Sequence, residues 1–199
     1  MFAVLFAVEP HPERWDDYLR YAAALRPELE RIDGFLDNRR FRSRRHDGRL
    51  LSLSLWRDEK SLVRWRAHGG HHAIQAKGRA AIFRDYHLRV GEVTRQDARA
   101  LPQSRLDVTE TGTAQAVSVL EMPAAEVPPA AAGLVDWDMF DGITDPQSRL
   151  LLLSWRDEPA MLASAAPTAS RRLDVRIVRD YGLHDRAEAP QFHAQVDRR

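Results

Sequence analysis

The sequence contains no cysteine, almost no lysine and no apolar run long enough to cross a membrane. Without cysteine, the 199-residue chain forms no disulfide, uses no thiolate and holds no Cys-ligated metal. Its basic residues are arginines except for Lys60 and Lys77, and the formal net charge is +1. This balance argues against a general attraction to nucleic acid or an anionic membrane. The N-terminal apolar run stops at Glu9, too early for a signal peptide, so we expect a cytoplasmic protein.

The sequence does contain an internal repeat of three segments in the same order. Residues 50–59 return as 150–158, which matches Trp56 with Trp155. The segment around Tyr86 returns around Tyr181, and the opening residues 3–10 return as 116–123. An ordered repeat predicts two copies of one supersecondary unit. We expect one domain at residues 1–95, a linker at 96–113, a degenerate second domain at 114–185 and a polar tail at 186–199.

The first copy has the pattern β-α-β-β-α-β. An apolar run over residues 1–8 predicts a strand covered on both faces, and Pro27 predicts a kink or break in the helix that follows. Asp47-Gly48 predicts a hairpin, and residues 84–94 alternate with the period of a strand. This order is typical of the ferredoxin-like motif. In the second copy the strand-like segments remain and the helices are shorter, so the fold class is α+β with two fused ferredoxin-like units.

Several motifs of the first copy resemble those of the antibiotic biosynthesis monooxygenase (ABM) family of dimeric α/β-barrel proteins. They are Gly34-Phe35-Leu36, Leu53-Ser54-Leu55-Trp56 with Asp58-Glu59, Trp65 with His71, Gln75 and Gly78-Arg79, and Tyr86-His87-Leu88-Arg89-Val90. The resemblance covers residues 1–95, and the second copy retains only Trp155 and Tyr181 of this set. It implies that two sheets pack face to face within one chain, as an intramolecular pseudo-dimer, with a pocket between each sheet and its helices.

The resemblance also implies a chemistry. Family members oxidise polycyclic phenols with O₂ without metal or flavin, or bind and break down haem. Their functional residues transfer poorly: Ser52 stands where the quinone-forming enzymes have Asn, Leu62 where they have Tyr, and Gln75 where the haem-degrading branch has its axial His. The implied function is a cofactor-independent monooxygenase acting on an aromatic or phenolic small molecule in the first copy. The alternative is a non-catalytic module that binds a small ligand or haem, or that dimerises as a homodimer.

The candidate site residues lie in the second helical segment of the first copy. At about 100° per residue, His68, His72, Gln75 and Arg79 form one stripe if the helix continues through Gly69-Gly70. We expect His71 or His72 to act as the base, Gln75 and Arg79 to contact an anion, and Trp65 to stack on the substrate, with Trp56 as a further contact. A solvated helix face and a structural role for Trp56 are the alternatives.

Two other clusters have simpler interpretations. His68, His71 and His72 lie close together, but no carboxylate at ligand spacing completes a site, so we expect no metal. The hairpin is rich in arginine and could bind phosphate or nucleic acid. A solvated strand face offset by acidic neighbours is the interpretation that we favour, because interleaved aromatic residues are few and the net charge is small. We therefore expect no nucleic-acid partner and no membrane partner.

Overall fold

The computed structural model describes residues 1–123, 127–128, 130–165 and 167–190. Its first half contains β1 (Phe2–Pro10), α1 (Trp15–Glu30), β2 (Phe35–Ser43), β3 (Leu50–Trp56), α2 (Glu59–Arg66), α3 (Gly69–Lys77), a π-helical turn (Gly78–Ile82) and β4 (Phe83–Gln96). Its second half contains β5 (Arg99–Ala100), β6 (Ala116–Glu121), β7 (Leu134–Gly142), β8 (Arg149–Trp155), α4 (Glu158–Ala163) and β9 (Arg171–Gly182). Most of the expected tail, residues 191–199, lies outside the described residues.

Eight antiparallel strands form a closed barrel. Their order is β1-β3-β2-β7-β8-β6-β9-β4, and β4 pairs with β1 to complete the ring, while β5 extends β4 as a short hairpin. We refer to β1–β4 with α1–α3 as the first unit and to β6–β9 with α4 as the second unit. The units meet along two seams, where β2 pairs with β7 and β4 pairs with β9. The predicted fold, two fused ferredoxin-like units that form an intramolecular barrel, is confirmed.

Strand alternation explains why β1 is apolar at every position before Glu9. Ala3 and Leu5 pack inside the barrel with side chains from both units, such as Leu53 of the first and Val117 and Phe140 of the second. The alternate side chains of β1 pack on the other face of the sheet, where Phe2 contacts residues of α1 and α2. Burying each large apolar side chain contributes roughly 1.5–3 kcal/mol, so the barrel interior joins the two units in one core.

The strand register corrects the sequence alignment of the two copies. Phe2 lies opposite Trp56 and Ala116 lies opposite Trp155, so Ala116 is the equivalent of Phe2 and not of Ala3. The correction is larger at the last strand: Phe2 pairs with Glu92 and Ala116 with Arg176, which makes Glu92 and Arg176 equivalent. The matched strings around Tyr86 and Tyr181 are therefore not equivalent in the fold, and Tyr181 lies opposite Leu88 on the neighbouring strand.

Pro27 does not break the first helix. α1 runs from Trp15 to Glu30 through Pro27, so of the two predicted effects, a kink or a break, the break does not occur. Proline removes the backbone hydrogen bond to the carbonyl four residues earlier. That carbonyl belongs to Ala23, and both Ala23 and Pro27 are exposed, so water can hydrate the carbonyl that has lost its donor.

A candidate active site in the first unit

A cavity of about 220 Å³ opens between the sheet of the first unit and its helices. Strands β1 and β4 contribute Val4, Phe6 and Val90 to its wall, and α1 contributes Tyr18 and Leu25. Because successive residues of a strand point to opposite faces, these strand side chains lie on the face away from the barrel interior. The cavity is therefore largely apolar and is separated from the barrel core by the sheet.

One part of the sheet face that lines the cavity is polar. The Asn38 Nδ2 donates to the Ser52 Oγ at 3.0 Å and to the backbone carbonyl oxygen of Leu53 at 3.2 Å. The Trp56 Nε1 donates to the Ser54 Oγ at 2.9 Å. All four side chains line the cavity. Sequence reasoning missed Asn38, since it lies on β2 and reaches Ser52 only through the pairing of β2 with β3.

Five of the six predicted site residues line this cavity: Trp56, Trp65, His71, Gln75 and Arg79. His72 is exposed and is not among the lining residues. The continuous stripe of His68, His72, Gln75 and Arg79 does not form, because α2 ends at Arg66 and α3 begins anew at Gly69. Neighbouring residues of a helix point about 100° apart, so His71 faces the cavity and His72 does not.

The His71 imidazole is held in one orientation. Its Nδ1 lies 3.0 Å from the backbone carbonyl oxygen of Trp65. A carbonyl oxygen only accepts, so Nδ1 bears the proton and Nε2 keeps its lone pair. Burial lowers the pKa of His71 to about 4. The side chain is therefore neutral at pH 7, and its free nitrogen can accept a proton or a hydrogen bond.

Trp65 and Gln75 flank this imidazole. The rings of Trp65 and His71 are stacked, with centroids 4.3 Å apart and an interplanar angle of 15°. This contact covers one face of the indole, so a ligand meets the Trp65–His71 pair rather than an isolated tryptophan. The Oε1 of Gln75 is buried and has no hydrogen-bond partner among the described residues. A buried polar oxygen in this position is available to a donor on a ligand.

Five arginines line the cavity: Arg40, Arg66, Arg79, Arg179 and Arg186. Within the described ranges, no ion pair joins Arg40, Arg66, Arg79 or Arg179 to a carboxylate. Among the described lining residues the one carboxylate is Glu59, which is held by Arg105, whose Nη1 donates to both of its oxygens at 2.8 and 2.7 Å. Arginine stays protonated at neutral pH, so the cavity has a surplus of positive charge.

The second unit completes the wall of this cavity. Arg179 and Tyr181 on β9 reach it, and Arg186 and Pro190 reach it from the segment after β9. Burial, together with the neighbouring Tyr86, raises the pKa of Tyr181 to about 12, so this phenol does not neutralise the arginines. These contacts could not be predicted from the repeat, because they arise from the pairing of β9 with β4.

On the equivalent sheet face of the second unit, apolar side chains stand where the first unit has polar ones, and polar side chains stand where it has apolar ones. Where the first unit has Asn38, Arg40, Ser52 and Ser54, the second unit has Trp137, Met139, Leu151 and Leu153. Where the first unit has Val4, Leu88 and Val90, the second unit has Ser118, Arg172 and Asp174. Asp174 is fully buried and accepts hydrogen bonds from Ser118 at 2.8 Å and from Arg95 at 2.6 Å. Side chains thus pair with one another in the second unit at positions that line the cavity in the first.

The site chemistry gives little support to a metal or a haem. Among the described residues, no group of three or more His, Asp or Glu side chains could hold a metal ion. A cavity of about 220 Å³ is smaller than the roughly 300–1,000 Å³ of pockets that hold drug-sized ligands, and a haem is larger than such a ligand. The residues present therefore do not fit haem in this conformation.

Across the described ranges, the helices are all too short or too polar to span a membrane.

Comparison with known proteins supplies the family. The model of the family described as antibiotic biosynthesis monooxygenase matches residues 1–77. A protein of Pyricularia oryzae named jasmonate monooxygenase ABM is 41% identical over 97% of this chain and 98% of its own length. This chain belongs to the ABM family. Proteins of this family commonly form dimers and bind small molecules; here the two halves of the barrel lie in one chain.

Other relatives cover less of the chain or are more distant. The uncharacterised protein YqjZ of Bacillus subtilis is 38% identical over 27% of this chain and 46% of its own length. Among solved structures, one described as an anthrone oxidase-like protein covers 96% of both chains at 13% identity, with a TM-score of 0.39.

Proposed function

We propose that the protein is a monooxygenase that oxidises a small, largely apolar molecule in the cavity of the first unit, and that it uses no cofactor. The observation that supports this proposal is the meeting, in one apolar cavity, of a neutral imidazole with four arginines, Arg40, Arg66, Arg79 and Arg179, that form no ion pair with a carboxylate of the described residues. Family membership supports the monooxygenase class. The name of the Pyricularia oryzae relative suggests jasmonate as a first substrate to test.

The chemistry that fits this cavity begins with the loss of a proton from the substrate. For an activated methylene group, R₂CH₂ and O₂ give R₂C=O and water, so one oxygen atom enters the product and the substrate supplies all the electrons. The electron-rich form that reacts with O₂ is the deprotonated substrate. The protein then has three tasks, which are to exclude water, to take one proton and to stabilise an anion.

The residues divide these tasks among them. The Nε2 of His71 takes the proton, since the Nδ1 proton is committed to the Trp65 carbonyl oxygen. Arg79 and the Gln75 amide contact the anion, and Trp56 and Trp65 form the wall against which the substrate lies. A base with a pKa of about 4 is weak, so the arginines must lower the pKa of the substrate itself. A phenol or an enolisable ketone meets this requirement, and the aromatic or phenolic substrate stays a prediction.

Oxygen consumption tests the proposal. Purified protein is supplied in separate assays with an anthrone-like phenol and with jasmonate, and O₂ uptake is measured beside product analysis. We expect O₂ uptake with at least one of them, and we expect His71→Gln to reduce the rate by about 10²–10⁴-fold, the usual contribution of general acid–base catalysis. His72→Gln is the matched control, because His72 lies outside the cavity lining. Equal losses in both variants would contradict the assignment of His71.

The weakness of His71 as a base favours one alternative, a module that binds a small ligand without turnover. Haem is the case that a spectrum tests quickly. A Soret shift on titration with haem that disappears in His71→Ala would favour haem binding, although the cavity volume argues against it. Saturable binding of jasmonate or the phenol, with no O₂ uptake and no Soret shift, would favour the non-catalytic module.

A further inference from the structure

The seam between β4 and β9 places two related pairs of residues side by side. Val90 lies opposite Arg179, and Arg95 lies opposite Asp174. Glu92 and Arg176 are equivalent positions of the two units and lie opposite each other. The pair of Val90 with Arg179 is therefore the symmetry mate of the pair of Asp174 with Arg95: Val90 is equivalent to Asp174, and Arg179 is equivalent to Arg95.

On the sheet face of the second unit, Asp174 and Arg95, which β4 supplies, form an ion pair. The Arg95 Nε donates to the Asp174 Oδ2 at 2.6 Å, and the Asp174 carboxylate is fully buried. Arg172 and Ser118 donate to the other oxygen of the same carboxylate, at 2.9 and 2.8 Å. The arginine and the carboxylate thus satisfy each other on the face of the sheet that lines the cavity in the first unit.

On the sheet face of the first unit, the arginine is supplied by β9 of the second unit and the carboxylate is not present. Val90 stands in the place of Asp174, and Arg179 lines the cavity. Within the described ranges, the Arg179 side chain makes no hydrogen bond and no ion pair. The nearby Asp107, whose pKa Arg179 helps to lower, is hydrogen-bonded by Arg105. A buried or half-buried guanidinium without a partner is costly, whereas one that meets a carboxylate forms a strong charge-assisted pair.

We infer that Arg179 binds the carboxylate of the substrate, which takes in the first unit the position that Asp174 has in the second. This inference rests on the proposed function and narrows it to a small apolar acid. The second unit is then part of the binding site of the first. Neither unit alone has both the apolar cavity and the anion-binding residue.

The segment after β9 adds a second cation beside Arg179. The Arg186 Nη1 donates to the Tyr86 Oη at 2.7 Å and to the backbone carbonyl oxygen of Gly182 at 3.2 Å. Its guanidinium lies 5.9 Å from the centre of the Tyr181 ring. Both tyrosines line the cavity, and Tyr181 lies two residues after Arg179 on β9, so Arg186 contacts a part of the cavity wall that adjoins Arg179.

Glu188 fixes this segment in place. Its Oε2 accepts from the Thr109 Oγ1 at 2.7 Å and from the backbone N–H of Asp180 at 2.6 Å. Its Oε1 accepts from the backbone N–H of Glu110 at 2.8 Å. The anion-binding end of the cavity is therefore built on anchored backbone.

The experiment compares an acid with its neutral ester. Dissociation constants for jasmonate and for its methyl ester are measured by titration calorimetry with the full chain. The proteins are the wild type, Arg179→Gln and the symmetry-related control Arg95→Gln. We expect the wild type to bind the acid about tenfold or more tightly than the ester. Arg179→Gln should remove the preference for the acid. Arg95→Gln should retain this preference when affinity is calculated per folded molecule.

A second variant supplies the missing carboxylate from within the protein. Val90→Asp places an acid opposite Arg179, as Asp174 lies opposite Arg95, and should weaken acid binding about tenfold or more. Val90→Asn has nearly the same shape without the charge and should weaken the acid and the ester equally. Circular dichroism reports whether each variant folds. If Val90→Asp does not fold, the comparison of Arg179→Gln with Arg95→Gln decides alone.

The outcomes separate this inference from the proposed function. Equal affinity of the wild type for acid and ester, no binding of either, or a preference that survives Arg179→Gln would each overturn the inference. O₂ uptake by the wild type together with one of those results would leave the monooxygenase standing. An acid preference that depends on Arg179, with no O₂ uptake on any substrate tried, would support the inference and contradict the monooxygenase.

Discussion

The two units share a framework and differ on one face of the sheet. In both, a tryptophan ends the third strand of the unit and is almost fully buried, and an aspartate two residues later caps the next helix. Beneath the helices, however, the first unit has a cavity in which Arg40, Arg66, Arg79 and Arg179 form no ion pair with any described carboxylate, while the second has an ion-paired and packed face. A duplicated fold can thus keep a cavity in one unit, while the other unit packs its equivalent face and contributes residues to the wall of that cavity.

The largest effect should come from the two buried tryptophans. Trp56→Ala and Trp155→Ala each remove a side chain that is 1% exposed, and each should lower the free energy of unfolding by about 3–5 kcal/mol. Chemical denaturation measures both losses. Only Trp56 lines the cavity, so ligand affinity per folded molecule should fall for Trp56→Ala alone, and an equal fall for Trp155→Ala would break the distinction between the units.

The next effect concerns the buried ion pair of Asp174 with Arg95 on the sheet face of the second unit. Asp174→Val gives this unit the residue that the first unit has at position 90, and it leaves Arg95 and Arg172 without their shared carboxylate. Breaking a buried pair typically costs about 3–5 kcal/mol. We expect a loss near the lower end, because both arginines are partly exposed. A stability equal to that of the wild type would show that the carboxylate is not what holds this face together.

A third effect is a dependence of stability on pH that belongs to the first unit alone. Because the pKa of His71 is lowered to about 4 in the folded protein from an ordinary value of 6.5, the unfolded chain binds more protons between these values. Stability is therefore fully present above pH 6.5 and is lost as the pH falls toward 4. The loss between pH 7 and pH 5 should be up to about 2 kcal/mol.

Denaturation curves at several pH values measure this effect. His71→Gln should flatten the dependence between pH 7 and pH 5, and His72→Gln, on the exposed side of the same helix, should leave it unchanged. A slope that survives His71→Gln would place the responsible group elsewhere.

The smallest effect tests what the units have in common. Asp58 accepts a hydrogen bond from the backbone N–H of Ser61 at 2.8 Å, and Asp157 accepts one from Ala160 at the same distance. Asp58→Ala and Asp157→Ala should each lower the melting temperature by a few degrees, because each helix loses its N-cap. Calorimetry measures both shifts, and a shift in only one variant would show that the shared framework is not equally stabilised in the two units.

Much of the fold could be predicted from local pattern. The apolar run of β1, the Asp47-Gly48 turn and the recurring Trp-Arg-Asp-Glu string each specify a local structure, and their repetition specifies two units. The break expected at Pro27 does not occur, because the carbonyl that Pro27 leaves without a donor can reach solvent, which the sequence pattern alone does not reveal. The alignment around Tyr181 failed because short identical strings do not encode register.

The site was predicted in part, for a related reason. Trp65 lies near the end of α2, and His71, Gln75 and Arg79 lie on α3 and the π-helical turn after it, so these residues are close in sequence and could be proposed as a group. The break between α2 and α3, at His68, determines that His71 rather than His72 faces the cavity. Residue spacing alone could not locate this break. Asn38, Arg179 and Arg186 come from other strands and from the second unit, and only the pairing of β2 with β3 and of β4 with β9 brings them to the cavity.

The most direct test of the central claim is a crystal structure of the protein with bound jasmonate. The account predicts one molecule per chain, enclosed between the helices and the sheet of the first unit, with its carboxylate at hydrogen-bonding distance from Arg179. A molecule beneath α4 in the second unit, or one in the first unit with its carboxylate turned away from Arg179, would contradict it.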